Sequence, residues 1–327
     1  MTQALVDSFG RVHRDLRISV TDRCNFRCTY CMPAEGMKWL DRSEVLSFEE
    51  IVRVARLLVE RFGIESIRLT GGEPTVRAHL PRLVGMLSEL GVDLAITTNG
   101  ATLRLVAADL AAAGLRRINV SCDSLRPDRF AEITKRDSLP AVLDGIDAAI
   151  EAGLSPVKLN VVAMRGVNED ELLDFATYGR SKGVVVRFIE FMPLDAQQQW
   201  TNDQVLTYSE IRTRINEVYP LEPMQRGSAP AERFRYLDGK GEIGIIASVT
   251  QSFCSTCDRV RLTAEGGFRT CLFATSEHDL RGLLRNGASD DDLAAVIESA
   301  VGGKWAGHQI NQVHFIRPSK SMSQIGG

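Results

Sequence analysis

The sequence predicts an α/β fold: a parallel sheet covered by helices and curved into an open, partial (βα)6 barrel of TIM-like type. Three observations carry that reading. Short runs rich in Val, Ile and Leu recur about every thirty residues through the first 190 positions. A stretch with helical spacing follows each of them, and a glycine stands just past the end of most such stretches. Alternation of this kind demands a parallel sheet, because only a crossover helix returns the chain to start the next parallel strand.

Six runs read as strands: Leu16 to Val20, Ser66 to Leu69, Asp93 to Thr97, Arg117 to Ser121, Val157 to Ala163 and Val184 to Glu190. Ser47-Phe-Glu-Glu opens the first helix with a capping-box pattern, and Ile51, Val54, Ala55, Leu58 and Val59 then fall on one helical face. Further helices are predicted over roughly 79–90, 102–113, 140–152 and 169–182, with Gly91, Gly114, Gly153 and Gly183 as their caps. Six units are too few to close an eight-stranded barrel, and in open and closed arrangements alike the chemistry collects at strand C-terminal ends.

Past residue 195 the alternation stops. Gln197 to Gln199, Pro220, Pro223, Gly227 and Pro230 interrupt the chain before strand-like runs at Phe234 to Leu237 and Ile243 to Ser248. The expected organisation is an N-terminal arm over 1–12, the barrel over 13–195 and a second region over 196–327. The last ten residues, PSKSMSQIGG, read as mobile on composition alone.

With 327 residues, 44% hydrophobic and 25% charged, the composition is that of a globular protein and excludes disorder and coiled coil. A net charge of -3 supplies no global field for nucleic acid or anionic lipid, so neither partner is expected. No apolar run reaches membrane-spanning length, and Asp7 and Asp15 stand where a signal peptide would be apolar, so a cytoplasmic location is expected.

Seven cysteines fall at 24, 28 and 31, at 122, and at 254, 257 and 271. Two tight trios and an odd total do not make a disulfide framework; trios of thiols point to metal. Cys24, Cys28 and Cys31 sit directly after the first strand, where a curling loop can aim three thiolates at one centre. Three thiolates hold a 4Fe-4S cluster with one iron left free of protein ligands; a zinc site or reduced thiols is the alternative on spacing alone.

The segment TDRCNFRCTYCMP, with Tyr30 just before the third cysteine, closely resembles the radical S-adenosylmethionine signature. That resemblance implies a 4Fe-4S cluster whose open iron is chelated by the methionyl group of S-adenosylmethionine, and reductive cleavage to a 5'-deoxyadenosyl radical. Thr70-Gly-Gly-Glu-Pro74 after the second strand is similar to the family's GGEP motif. Its glycines would permit close backbone approach to a ligand, and Glu73 can accept from an ammonium.

In the second trio, Cys254-Ser-Thr-Cys257 and Cys271 stand open in the same way, and His278 could complete a Cys3His zinc site instead. Asp258-Arg-Val-Arg261 follows directly, and on a strand Arg259 and Arg261 project to one face beside the metal, as an anion site requires. Arg17, Arg68, Lys158 and Arg187 lie in strands that ought to be apolar, and inward charges in a barrel need a ligand. The pattern suits a compact polyanion such as a nucleoside triphosphate. No P-loop is present, and Gly239, Gly241 and Gly244 precede a strand, so that G-x-G-x-x-G match reads as a hairpin turn.

Both trios, CSTCDRVRL and the terminal Gly-Gly together resemble the MoaA family, the GTP 3',8-cyclases of molybdenum cofactor biosynthesis, over essentially the whole chain. The resemblance implies a radical SAM barrel with a C-terminal extension carrying a second 4Fe-4S cluster, and GTP held between the clusters. Hydrogen abstraction from ribose carbon 3, attack of the resulting radical on guanine carbon 8, and reduction of the cyclised radical by one electron and one proton would then give (8S)-3',8-cyclo-7,8-dihydroguanosine 5'-triphosphate. By the same resemblance Tyr30, Gly72, Glu73, Asn99, Ser121 and Met192 contact S-adenosylmethionine, while Arg17, Arg68, Thr97, Lys158, Arg259, Val260 and Arg261 contact GTP. Arg17, Arg259, Arg261 and the Gly326-Gly327 tail are the residues implied in catalysis, the tail reaching into the active site and overriding its compositional reading. An external reductant, a homodimer and hand-over of product to cyclic pyranopterin monophosphate synthase are implied as well. Cys122 stands where the family more often has an aliphatic residue, and reads as a small buried hydrophobe. The competing readings are a two-cluster radical enzyme acting on a peptide, and an iron–sulfur or zinc module without catalysis.

Overall fold

A computed structural model of the chain describes residues 3–33, 36–195, 197–310, 312 and 315–326. Twelve strands form one sheet. Its middle is six strands in chain order, all parallel: β1 Asp15–Ser19, β2 Ser66–Thr70, β3 Asp93–Thr98, β4 Arg117–Ser121, β5 Val157–Ala163 and β6 Val185–Glu190. Every one agrees with its expected limits to within one residue. The hydrophobic runs suffice to place them because both faces of such a strand are enclosed, one by helices and one by the barrel interior.

Helices α1 Phe48–Phe62, α2 Leu80–Ser88, α3 Ala107–Ala112, α4 Pro127–Thr134, α5 Leu139–Glu151 and α6 Leu172–Lys182 cover the outer face. Ser47 accepts from Glu50 N while Glu50 reaches back to Ser47 N, the reciprocal cap read from the sequence. Gly91, Gly114, Gly153 and Gly183 all take positive φ, as C-capping glycines do. The stretch 102–113 departs from one continuous helix: Thr102 and Val106, both β-branched, adopt non-helical dihedrals on either side of a 3-10 turn, and α3 begins only at Ala107. Helix α4 was not anticipated, because only Phe130, Ile133 and Thr134 of its eight residues are buried.

The C-terminal segment extends this sheet at both edges rather than forming a sheet of its own. From α7 Tyr208–Val218 the chain runs through β7 Leu221–Met224 and β8 Glu232–Tyr236 to β9 Glu242–Ile246, which lies parallel to β6. The chain then crosses to the far edge, where β10 Arg259–Leu262 lies parallel to β1, and β11 Gly267–Arg269 and β12 His278–Asp279 follow antiparallel. Helices α8 Leu280–Arg285, α9 Asp290–Gly302 and α10 Met322–Ile325 complete the chain. Eight neighbouring strands are therefore parallel, and the barrel stays open between β7 and β12. Gly239 and Gly241 turn the β8–β9 hairpin, as expected of that glycine pattern.

Alternation along β5 shows how the wall is built. Val157, Leu159, Val161 and Ala163 are buried against the helices, while Lys158, Asn160 and Val162 face the interior. Among the described residues no helix is long and apolar enough to cross a membrane. At the end of β6 the buried Glu190 accepts from Tyr208 N at 2.8 Å, Val249 N at 2.7 Å, Thr250 N at 2.8 Å and the Thr250 hydroxyl, tying the barrel to both C-terminal segments. Glu190→Ala leaves those donors orphaned, and we expect it to cost about 2–4 kcal/mol in denaturant-induced unfolding. A loss within experimental error would show the carboxylate to be dispensable.

Candidate active site

The strand C-terminal ends open onto a cavity of about 300 Å³ lined by all six cysteines of the two trios. Cys24, Cys28 and Cys31 ride on the loop after β1, where Cys31 N and Met32 N donate to Cys28 O and curl the backbone. Helix α4 buttresses this loop. Arg27 N and Thr29 N donate to Thr134 O and Ile133 O, each at 3.0 Å, and Phe26 meets Phe130 edge to face. Burial pushes the Cys24 thiol up to about 11, Cys28 well above the ordinary value and Cys31 up to about 12.

Gly71 and Gly72 have a role beyond the one read from the sequence. They lie against the backbone of the cysteine loop itself, and Gly72 N and Glu73 N donate to Thr21 O and Arg23 O at 2.8 Å. A Cβ on Gly72 would lie 2.6 Å from the Arg23 carbonyl carbon and closer still to the Asp22 and Arg23 carbonyl oxygens. The Glu73 carboxylate is largely engaged within the protein: Oε1 accepts from Thr75 N, the Thr75 hydroxyl and the Thr98 hydroxyl, and Oε2 from Asn99 N. With a single donor, Oε2 keeps a lone pair for a ligand ammonium.

Tyr30, Gly72, Glu73, Asn99, Ser121 and Met192 all line this half of the cavity. Asp123, which sequence reasoning missed, lines it too and accepts from the Tyr30 hydroxyl at 2.5 Å and from Val162 N at 2.8 Å. Burial raises its carboxyl to about 6 against those two hydrogen bonds. Its place one residue past Cys122 at the end of β4 was the available signal. Cys122 is buried outside the cavity, as expected of a packing residue.

The second trio closes the opposite side. Cys254 begins a 3-10 turn, Cys257 ends it just before β10, and Cys271 follows β11. Here the surroundings are cationic. Burial pushes the Cys254 thiol up, but hydrogen bonding by His308 and Ser252 outweighs it and leaves the group at about 6. Burial acts likewise on Cys257, and Arg259 with Lys304 more than offsets it, so that thiol lies below its ordinary value. Burial dominates at Cys271 and raises it. His278 is exposed on β12 and does not line the cavity, so it is not the fourth ligand of a zinc site here; His308 lies by Cys254 instead.

Among the described residues no three His, Cys, Asp or Glu side chains are drawn together as the ligands of a single ion are. Two trios of free thiols open onto one chamber, and three thiolates are the donor set that holds a 4Fe-4S cluster with one iron free of protein ligands.

Between the trios the lumen is cationic. Arg261, Arg17 and Arg68 are register neighbours on β10, β1 and β2, and Arg259 and Arg187 line the same cavity. Like charges set side by side in registered strands repel, and Arg17 Nε, Arg68 Nε and Arg259 Nη2 are buried without a hydrogen-bond partner among the described residues. Asp15 at the base of β1 feels four of these guanidiniums; burial pushes its carboxyl up and they outweigh it, leaving it below the ordinary value. Arg187 is held by Asn160 Oδ1 at 2.9 Å and Asn119 Oδ1 at 2.7 Å, neutral partners that leave its charge uncompensated. Such an assembly has the charge and the free donors to hold a polyanion.

Thr97 lines the cavity with the arginines, whereas Lys158 and Val260 do not. Lys158 faces the lumen nearer the strand N-termini, and the Val260 side chain belongs to the apolar core. The tail is ordered into place through Gly326, against its compositional reading. Arg261 donates to Gly326 O and, at 3.5 Å, to Ile325 O, Met322 and Ser323 line the cavity, and Gly326 abuts the Thr70 hydroxyl where no Cβ fits. Gly327 lies outside the described residues.

Comparison with known proteins adds to this geometry. Residues 18–178 match the radical SAM superfamily, and residues 184–310 match the family described as Molybdenum Cofactor Synthesis C. A GTP 3',8-cyclase of Streptomyces coelicolor is 48% identical, over 99% of this chain and 96% of its own length. Another, from Rhodopirellula baltica, is 50% identical over 99% of this chain and 92% of its own. The crystal structure of Streptococcus suis SuiB bound to S-adenosylmethionine superposes with a TM-score of 0.64 at 11% identity, covering 94% of this chain and 77% of that one. At that identity the likeness shows the fold alone.

Proposed function

The chain belongs to the GTP 3',8-cyclase family of radical S-adenosylmethionine enzymes, and from that premise we propose that it converts GTP into (8S)-3',8-cyclo-7,8-dihydroguanosine 5'-triphosphate. The observation that carries the substrate is the set of buried, unpartnered guanidinium nitrogens lying between two open cysteine trios. In this reading each trio holds a 4Fe-4S cluster, the first with S-adenosylmethionine and the second facing GTP.

When bound, the first cluster and S-adenosylmethionine supply one-electron chemistry that yields an alkyl radical able to abstract hydrogen. The residues do the rest by positioning. Arg17, Arg68, Arg187, Arg259 and Arg261 would grip the triphosphate, trading mutual repulsion for charge-assisted hydrogen bonds. With the phosphates fixed, the ribose would face Thr97, Asn99 and Ser121, which line the cavity on the side of the first trio. The barrel wall, with Met322 and Ser323 of the tail, would limit the access of water to a carbon radical. No general acid–base pair is needed, in keeping with a lumen whose acids are engaged in hydrogen bonds.

Anaerobic reconstitution with iron and sulfide, followed by GTP, S-adenosylmethionine and an external reductant, tests the reading. We expect 5'-deoxyadenosine and the cyclised nucleotide in step, from protein carrying roughly eight irons per chain. Deoxyadenosine formed without consumption of GTP would leave a radical enzyme of another substrate.

A further inference from the structure

We propose that Lys304 is a positioning residue of the second trio, whose buried ammonium holds the reduction potential of the cluster bound there above that of the first. The inference rests on the second trio carrying a cluster, as proposed above.

Lys304 follows α9 and is 4% exposed. Its Nζ donates to Arg259 O at 2.7 Å and to Cys257 Sγ at 3.7 Å. Neither partner is a carboxylate, and the buried ammonium lies directly against a sulfur that would ligate the cluster, whose negative charge it would face.

The backbone fixes the ammonium in place. Lys304 N donates to Val301 O at 3.0 Å. Arg11 of the N-terminal arm donates to Cys254 O at 2.8 Å, Ala306 O at 2.7 Å and Trp305 O at 2.6 Å, clamping the loop after Lys304 to the cysteine turn. Gly307 packs on the Cys254 side chain, where a Cβ would lie 3.0 Å from its Cβ and 3.4 Å from its Sγ.

The first trio has a different setting. Neutral donors reach Cys24 Sγ, the Phe26 N–H at 3.4 Å and the Asn99 amide at 3.8 Å, while Arg27 donates to the carbonyls of Cys24 and Phe26. Two carboxyl groups, Glu73 and Asp123, line that side of the cavity. Reduction adds negative charge to a cluster, so a fixed cation and a hydrogen bond to a ligand sulfur favour the reduced form, and nearby carboxylates disfavour it.

A redox titration of the reconstituted full chain, followed by electron paramagnetic resonance, tests this. The couple that survives in the triple variant Cys24→Ala, Cys28→Ala, Cys31→Ala is assigned to the second trio and is expected at the higher potential. Lys304→Gln and Lys304→Met should lower that couple by at least a tenfold change in its equilibrium constant, about 59 mV for one electron. The first couple should not move, and Lys304→Arg should keep the native value. An unchanged potential in Lys304→Gln, or an equal shift of both couples, overturns the inference. Loss of the second cluster's iron in Lys304→Arg as well as Lys304→Gln also overturns it, marking Lys304 as a packing residue. A native chain carrying only about four irons would instead remove the second cluster, and with it the reading on which this rests.

Discussion

Arg17→Met is expected to do two things that an ordinary core truncation cannot do together: weaken GTP binding severely and raise the thermal stability of the GTP-free protein. Arg17 is neighbour in register to Arg68 on one side and Arg261 on the other, and its Nε is buried without a partner. Four guanidiniums surround Asp15, with Asp258 and Cys257 as the other groups that favour the Arg17 charge, so a bound anion would relieve further repulsion. Methionine keeps the stem packing while deleting the charge. Losing one member of a buried charge-paired contact costs about 2–5 kcal/mol, so the affinity for GTP should fall on the order of 10²-fold or more. Relief of the unpaired charge should stabilise the free protein by about 1 kcal/mol or more, a shift of a few degrees. Calorimetry with and without GTP measures both. A lowered melting point with unaltered affinity would mean that Arg17 serves the core and not the substrate.

Gly72→Ala is expected to empty the first trio while sparing the second. The new methyl group would collide with the backbone of Asp22 and Arg23, which cannot move without carrying Cys24 along. The two hydrogen bonds that seat the loop, Gly72 N to Thr21 O and Glu73 N to Arg23 O, would be strained with it. Iron should fall from roughly eight to roughly four per chain, with cyclisation abolished and far-ultraviolet circular dichroism unchanged. Full iron content together with native turnover would show that the loop has slack the geometry does not reveal.

How much of this was legible beforehand depended on what each residue answers to. The six parallel strands could be read because each is enclosed on both faces, so local hydrophobicity alone marks them. Helix α4 escaped because its role is to brace the cysteine loop through Phe130, Ile133 and Thr134, a contact with residues a hundred positions earlier. The spacing of the trios pointed to metal, and Arg259 with Arg261 pointed to an anion, because both signals lie in residues adjacent in the chain. His278, chosen for its nearness in sequence to Cys271, lies exposed on an edge strand, while His308 and Lys304 reach the trio from beyond α9.

The sequence by itself determined the alternation of strand and helix, the two incomplete sets of thiols and an excess of cations in strands, since each is a property of residues close together in the chain. Only the tertiary structure decided that the C-terminal segment mends both edges of one sheet, that Asp15 stands among four guanidiniums and that the tail folds back onto Arg261. Those outcomes turn on parallel register and on side chains brought together by folding, and no local pattern encodes which distant residue will complete a buried hydrogen bond or neutralise a buried charge.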